Sequence, residues 1–244
     1  SMGWRYPRRI HSAMWRFALL GFLALSVCAT AAPEHSDPLT VTHVHGNIYM
    51  LQGPGGNIAL SLGDDGTLLI DSKFADLANQ IRTVIDSLQG GEIRYILNTH
   101  FHRDHVGGNQ ALGQGAPIIA HHNVRQRLLA RPRIDQRYVA PIPRPGWPTL
   151  TFDHTLSIHF NGEEIRAVHF DHGHTDGDIA VFFTESNVAH LGDLFFNRLL
   201  PFVDLDYGGD VENLARHIGQ LVDTLPPNSK IIPGHGPLAT LDDL

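Results

Sequence analysis

Residues 100–105 read His-Phe-His-Arg-Asp-His and place three imidazoles and one carboxylate within six positions. His100 and His102 are two residues apart, so on an extended segment their side chains point to the same side. Asp104 and His105 follow at a turn, where they can face a second centre. Imidazole and carboxylate groups suit zinc, and four of them exceed what one closed site takes from so short a stretch. The stretch therefore predicts two neighbouring metal ions.

The surroundings of this stretch are those of a functional loop, although the chain has 17 histidines and some will be neighbours by chance. The apolar run Ile93–Asn98 comes directly before it and is expected to be a buried strand, and Gly107 and Gly108 come directly after it. A buried strand that opens into a loop is where sites are usually built. His121 and His122 lack this context, and we do not expect them to bind metal.

Local patterns predict the elements on either side of the stretch. Alternating polarity predicts hairpins that turn at Gly46-Asn47, at Asp64-Asp65-Gly66 and at Asn161-Gly162. Helical spacing of apolar residues predicts helices over residues 76–88 and 211–225. In the second helix Asp210 is expected to cap the first turn, with Val211, Leu214, Ile218, Leu221 and Leu225 facing inward.

The His-x-His-x-Asp-His stretch resembles the signature of the metallo-β-lactamase superfamily, and four more motifs match that family in its order along the chain. They are Leu68-Leu69-Ile70-Asp71-Ser72, Gly173-His174-Thr175-Asp176-Gly177, Leu191-Gly192-Asp193-Leu194-Phe195 and Pro233-Gly234-His235-Gly236. The resemblance covers residues 39–244. It implies an α/β fold in one domain, an αββα metallo-β-lactamase sandwich of two mixed sheets flanked by helices.

The resemblance also implies the ligands and the chemistry of a site with two zinc ions. One ion would be held by His100, His102 and His174, the second by Asp104, His105 and His235, with Asp193 as a bridge between them. Three protein ligands per ion leave the open position that catalytic zinc requires. A hydroxide between the ions would attack a carbonyl carbon, because two cations lower the pKa of water to roughly 7. Asp104 and Asp193 are the expected catalytic carboxylates, and Asp71 is expected to orient a ligand imidazole.

Within the superfamily, the ligand pattern favours a hydrolase of lactams, lactones, esters or thioesters. Asp104, His105 and His235 resemble the second site of the Asp-His-His zinc β-lactamases, whereas Asp193 resembles a residue of thioesterases, lactonases and other hydrolases. Glutathione thioesterases carry a helical region after the last histidine, and nine residues follow His235 here, so we do not expect that mode. Two alternatives stay open: an iron-dependent sulfur dioxygenase, and a periplasmic accessory metal-binding protein of a dehydrogenase system.

Residues 1–32 read as a cloning remnant, Ser1, followed by a secretory signal peptide. Four arginines within residues 5–16 precede an apolar run, and Ala29-Thr30-Ala31 offers small residues for cleavage. The apolar run of about 11 residues is too short for a stable membrane anchor. We therefore expect a periplasmic or secreted protein, in which cleavage removes Cys28, the single cysteine.

The charge balance argues against a nucleic acid partner. Without the four arginines of the leader, 14 basic side chains face 25 acidic ones, a net charge of −11. Phosphate backbones require a basic surface, so we expect a small-molecule carbonyl substrate instead, and leave open whether it is anionic. One region reverses the sign, with arginines at positions 125, 127, 131, 133, 137 and 144. It predicts either a solvated helix with a rigid surface loop or a lid that attracts an anionic substrate.

Overall fold

The computed structural model describes residues 35–130 and 142–244 of the chain. The signal peptide predicted over residues 1–32 lies outside these ranges, as do Arg131, Arg133 and Arg137 of the basic region. Among the described helices, none combines the length and the apolar character that crossing a membrane would require.

The first sheet has seven strands that are hydrogen-bonded in chain order. They are β1 (Thr40–His45), β2 (Ile48–Gln52), β3 (Ile58–Gly63), β4 (Gly66–Ile70), β5 (Ile93–Asn98), β6 (Ile118–His121) and β7 (Leu150–Phe152). Strands β1 to β4 pair antiparallel, which confirms the two predicted hairpins, and β4 to β7 pair parallel. The sheet is therefore mixed.

The second sheet has six strands in the order β13-β12-β11-β10-β9-β8. They are β8 (Thr155–Phe160), β9 (Glu163–His169), β10 (Ile179–Phe183), β11 (Val188–Phe196), β12 (Lys230–His235) and β13 (Ala239–Thr240). Only β11 and β12 pair parallel, and the hairpin at Asn161-Gly162 is confirmed. The two-residue β13 and the three-residue β7 were not predicted, because runs so short carry no periodic signal.

In the described ranges, five α-helices accompany the sheets: α1 (Ala78–Ser87), α2 (Arg103–Val106), α3 (Asn109–Leu112), α4 (His122–Leu129) and α5 (Val211–Thr224). Both long predicted helices are present, and the amide of Asn213 donates to Asp210 Oδ1 at 2.8 Å, the predicted cap of α5. The prediction for Val211 was wrong, since its side chain is 62 % exposed. The stripe that packs on the second sheet begins one turn later, at Leu214.

Three apolar layers hold the two sheets and their helices together. Between the sheets, residues such as Met50 and Leu68 of the first sheet pack against Val181 of the second. The outer face of the first sheet packs on α1 through Ile81 and other buried residues, and the outer face of the second sheet packs on α5. This order of helix, sheet, sheet and helix confirms the predicted αββα sandwich.

Candidate metal centre

The local structure around residues 98–105 explains how one short stretch supplies two groups of side chains. Strand β5 ends at Asn98, the chain bends at Thr99 and His100, and His102 caps α2 with φ −62° and ψ 147°. The amide of His105 donates to the carbonyl of His102 at 2.9 Å, which closes the single turn of α2. His100 and His102 therefore lie before the helical turn but not on one extended segment, whereas Asp104 and His105 lie on the turn, as the sequence predicts.

The first group brings His100, His102, His174 and Asp193 together, all of them buried. His102 Nδ1 lies 3.0 Å from His100 Nε2 and 2.9 Å from His174 Nε2. Asp193 Oδ2 lies 3.6 Å from His100 Nε2 and 3.3 Å from His174 Nε2. Four potential ligand atoms from three parts of the chain thus surround one point.

The second group brings together Asp104, His105 and His235. Asp104 Oδ2 lies 3.2 Å from His235 Nε2 and 3.5 Å from His105 Nε2. The two imidazole Nε2 atoms are 3.4 Å apart. The structure thus collects in two adjacent groups all seven residues to which the sequence assigns a ligand role.

Asp193 belongs to both groups, because its two carboxylate oxygens face in different directions. While Oδ2 faces the first group, Oδ1 lies 3.1 Å from His105 Nε2 and 3.5 Å from His235 Nε2. Oδ1 is buried and makes no hydrogen bond to any residue that the structure describes. Gly234 leaves room for this oxygen, since a Cβ at that position would collide with it. A buried carboxylate oxygen without a hydrogen bond is costly unless a cation compensates it.

The spacing of these atoms is close to that of ligands around one zinc ion. Two atoms that each lie about 2.0–2.1 Å from a tetrahedral zinc ion are about 3.3–3.4 Å apart. The contacts within the two groups range from 2.9 to 3.6 Å and join nitrogen or carboxylate atoms that suit zinc. The residues fit the metal, and the His/Asp cluster indicates metal binding.

The electrostatic environment keeps His100, His174 and Asp193 in forms that can bind a cation, whereas nearby carboxylates, against the effect of burial, raise the pKa of His105 and that of His235. Burial and the neighbouring His105 hold the pKa of His100 well below its ordinary value, and burial lowers the pKa of His174 to about 4. Burial opposes ionisation of Asp193, yet nearby histidines hold its pKa well below the ordinary value. At neutral pH the two imidazoles are thus neutral with free lone pairs, and the carboxylate is charged.

Comparison with known proteins agrees with this geometry. The family model described as "Metallo-beta-lactamase superfamily" matches residues 41–235. The chain belongs to this superfamily. A solved metallo-β-lactamase from Pontibacter korlensis superposes with a TM-score of 0.70 over 84 % of this chain and 94 % of its own, at 17 % identity. At that identity the likeness shows the shared fold alone.

Two curated relatives within the superfamily are named as hydroxyacylglutathione hydrolases. One, from a Polaromonas species, is 29 % identical over 152 residues, which cover 61 % of this chain and 50 % of the relative. The other, from Pelagibacter ubique, is 28 % identical over 183 residues, which cover 71 % of this chain and 67 % of the relative. The match thus spans half the length of the first of these relatives.

Asp71, in the superfamily's early strand motif, lies behind the second group. Its Oδ2 is 2.7 Å from His105 Nδ1, and it also accepts hydrogen bonds from the amide and the hydroxyl of Thr99, each at 2.7 Å. Asp71 has φ +65° at the end of β4, so it turns the strand as well as contacting the imidazole. This contact fixes the ring so that Nε2 faces the site.

Asp204 contacts the first group in the same way, and sequence reasoning missed it. Its Oδ2 lies 2.7 Å from His102 Nε2, on the side of the ring opposite to the site. His174 is fixed likewise, since its Nδ1 donates to the carbonyl of Phe202 at 2.7 Å. Both partners lie in the irregular segment between β11 and α5, where no periodic pattern marks a functional position.

Lys73 is a second residue that the sequence did not reveal, because lysines are almost never fully buried. It is completely buried, and its ammonium donates to the carbonyls of Gly56 at 2.6 Å and Pro54 at 3.3 Å. Burial lowers its pKa to about 8. The loop that it holds lies against Asp104 and His105, where any Cβ at Gly56 would collide with the His105 ring.

The loop that carries His174 is fixed from two sides. Asp178 accepts hydrogen bonds from the amide of Thr175 at 2.9 Å and from its hydroxyl at 2.5 Å. Arg127 of α4 forms a bidentate pair with Asp176 at 3.2 and 2.6 Å. Arg125 donates to the carbonyl of Pro148. These two arginines thus bind within the protein, and the predicted lid remains a prediction for the rest of the basic region.

Proposed function

We propose that this protein is a zinc-dependent hydrolase of small-molecule carbonyl compounds, namely lactams, lactones, esters or thioesters. The observation that carries the proposal is Asp193, whose two oxygens face two separate groups of ligand-type side chains. A site that held one metal would have no use for a second group of two imidazoles and a carboxylate at this distance. The arrangement is the one expected for two ions that share one bridging carboxylate.

Each residue then has a defined task. The first ion is assigned to His100, His102 and His174, the second to Asp104, His105 and His235, with Asp193 common to both. Two bound zinc ions would supply a water of lowered pKa and would polarise the substrate carbonyl. Asp71 and Asp204 hold the rings of His105 and His102 in the required tautomers. Asp104 and Asp193 contribute the negative charge that offsets the ions.

The substrate class is proposed from the relatives and from the charges near the site. The names of the relatives, hydroxyacylglutathione hydrolase and metallo-β-lactamase, support a thioester or a lactam as the compound attacked. Many β-lactams carry a carboxylate, and Arg198 is the nearest exposed cationic candidate after Asp193 in sequence. Hydrogen bonds from Thr240 hold the pKa of Asp243 below its ordinary value, and Arg198 adds a smaller effect in the same direction. We therefore expect β-lactam hydrolysis to be detectable but secondary.

The decisive experiment combines metal analysis with a hydrolysis screen on the same purified protein. We expect two zinc ions per chain, loss of hydrolysis on chelation, and recovery when zinc is added back. His102→Ala should lower metal content and turnover together, whereas His159→Ala, an exposed histidine on β8, should change neither. One iron per chain with oxygen consumption on a persulfide would replace the proposal with a sulfur dioxygenase. Bound metal without any hydrolysis would favour the accessory protein.

A further inference from the structure

An exposed apolar stretch lies between β11 and α5. In the described part of the chain nine large hydrophobic side chains are exposed, and four of them fall within residues 197–205, here called the rim segment. They are Leu199 at 55 %, Leu200 at 92 %, Phe202 at 42 % and Leu205 at 69 % exposure. Single exposed leucines are common on protein surfaces, but four within seven residues indicate a binding surface.

The two ends of the rim segment are fixed on the two ligand groups. At its beginning, the amide of Asn197 donates to the carbonyl of His235 at 2.9 Å, in the second group. Near its end, the carbonyl of Phe202 accepts from His174, and Asp204 contacts His102, both in the first group. The exposed leucines therefore lie on chain that crosses from one ligand group to the other.

Aromatic rings continue this apolar surface down to the ligands themselves. The ring of Phe196 lies parallel to that of His235, with centroids 5.1 Å apart and planes 12° apart. The ring of Phe202 lies 5.6 Å from that of His174 and 6.2 Å from that of His102. A molecule whose reacting carbonyl lies between the ligand groups could thus extend an apolar part along the exposed leucines of the rim segment.

The rim segment carries one charge that is buried against a ligand imidazole and one that is exposed. Its sequence contains two charged residues, Arg198 and Asp204. Asp204 contacts His102, and Arg198 acts on Asp243. Most of the exposed surface of the segment is therefore apolar, which favours a hydrocarbon chain as its ligand.

We propose that the rim segment binds a hydrocarbon chain of the substrate, and that the enzyme acts on carbonyl compounds with an apolar chain of several methylenes. This inference rests on the proposed function and specifies the substrate class of that site. A second copy of the chain is the competing occupant. Four side chains offer less surface than the roughly 800 Å² per partner that stable interfaces bury, and the continuity with the ligand rings favours a substrate.

The first test measures hydrolysis of p-nitrophenyl esters from acetyl to octanoyl by the zinc-loaded protein. We expect kcat/KM to rise about two- to fourfold for each added methylene. The lower value corresponds to a methylene that is removed from water on one side, and the upper value to a methylene that is fully removed from water. In Leu199→Ser and Leu200→Ser, kcat/KM should rise less for each methylene, so that the loss of kcat/KM relative to the wild-type protein grows with chain length. Val222→Ser, a matched change of a 40 % exposed residue on α5, should leave the whole series unchanged.

The second test does not depend on hydrolysis, so that the two proposals fail separately. Calorimetric titration with octanoate and butyrate should show that octanoate binds the wild-type protein at least about tenfold more tightly. Leu200→Ser should reduce that ratio. A flat ester series, or an octanoate preference that survives both serine variants, would overturn the inference. So would a dimer that Leu200→Ser converts to a monomer with unchanged chain-length dependence. Failure to hydrolyse any lactam, lactone, ester or thioester, with the octanoate preference intact, would contradict the proposed function alone.

Discussion

Replacement of Asp204 by alanine should weaken the first metal position, although Asp204 does not face the metal itself. Its carboxylate lies 2.7 Å from His102 Nε2 and accepts a hydrogen bond from the Nε2–H group, so that Nδ1 is unprotonated and can bind the metal. Loss of such an outer partner typically lowers metal affinity about 10- to 100-fold, which corresponds to about 1.4–2.7 kcal/mol. We expect Asp204→Ala near the upper end, because Asp204 is 7 % exposed and His102 is 3 % exposed.

The assay is a zinc titration in competition with a chromophoric chelator. To assign the effect to the first position, Asp204→Ala is also made in a His105→Ala background, which lacks a ligand of the second group. Asp206→Ala, which removes an exposed carboxylate two residues away, is the matched control. Unfolding of the metal-free variants by urea separates a change in affinity from a change in fold. Wild-type affinity for the remaining ion in the double variant would refute the reasoning.

Three further outcomes follow from the structure. Asp193→Ala should lower both the metal content at the second group and the rate of turnover. Full metal content with normal turnover would show that Asp193 only packs in the loop. Arg127→Met should lower the free energy of unfolding by about 1–2 kcal/mol in urea, because it breaks a bidentate pair with Asp176; an unchanged midpoint would contradict this. Burial and the neighbouring His169 lower the pKa of His121 to about 4, below the ordinary 6.5. The unfolded chain therefore binds more protons between these values, and stability should fall as pH drops from 6.5 towards 4. Urea unfolding should show that the free energy of unfolding falls less between pH 7 and pH 5 in His121→Asn, which can still cap α4, than in the wild-type protein. An equal fall in both proteins would exclude a contribution from His121.

The site residues that could be predicted from the sequence are those that form an unusual combination of residue types at short spacing. His100, His102 and His105 stand out because few other roles explain three imidazoles after a buried strand. His174 and His235 were found through glycine-flanked motifs of the family resemblance. The periodic elements were found for a related reason, since a stripe of apolar residues repeats often enough to be recognised.

The residues that it missed act through contacts that only the fold creates. Asp204 is 102 positions from His102, and nothing in the neighbouring sequence distinguishes it from the aspartates that lie on the surface. Lys73 carries a side chain that is normally solvated, and its burial depends on a loop that folds over it. The prediction for Val211 was wrong for a different reason. The helical period was correct, but it does not show at which residue the packed surface of the helix ends.

The origin of the ligands links metal binding to the architecture of the whole domain. His100, His102, Asp104 and His105 follow a strand of the first sheet, whereas His174, Asp193 and His235 come from the second. Neither sheet alone can complete either group, so each ion would act as a cross-link between the two halves of the sandwich. Ligands that bind only the folded state stabilise it by about 4 kcal/mol at a thousandfold excess over Kd. The zinc concentration would therefore affect the stability of the folded sandwich as well as the rate of turnover.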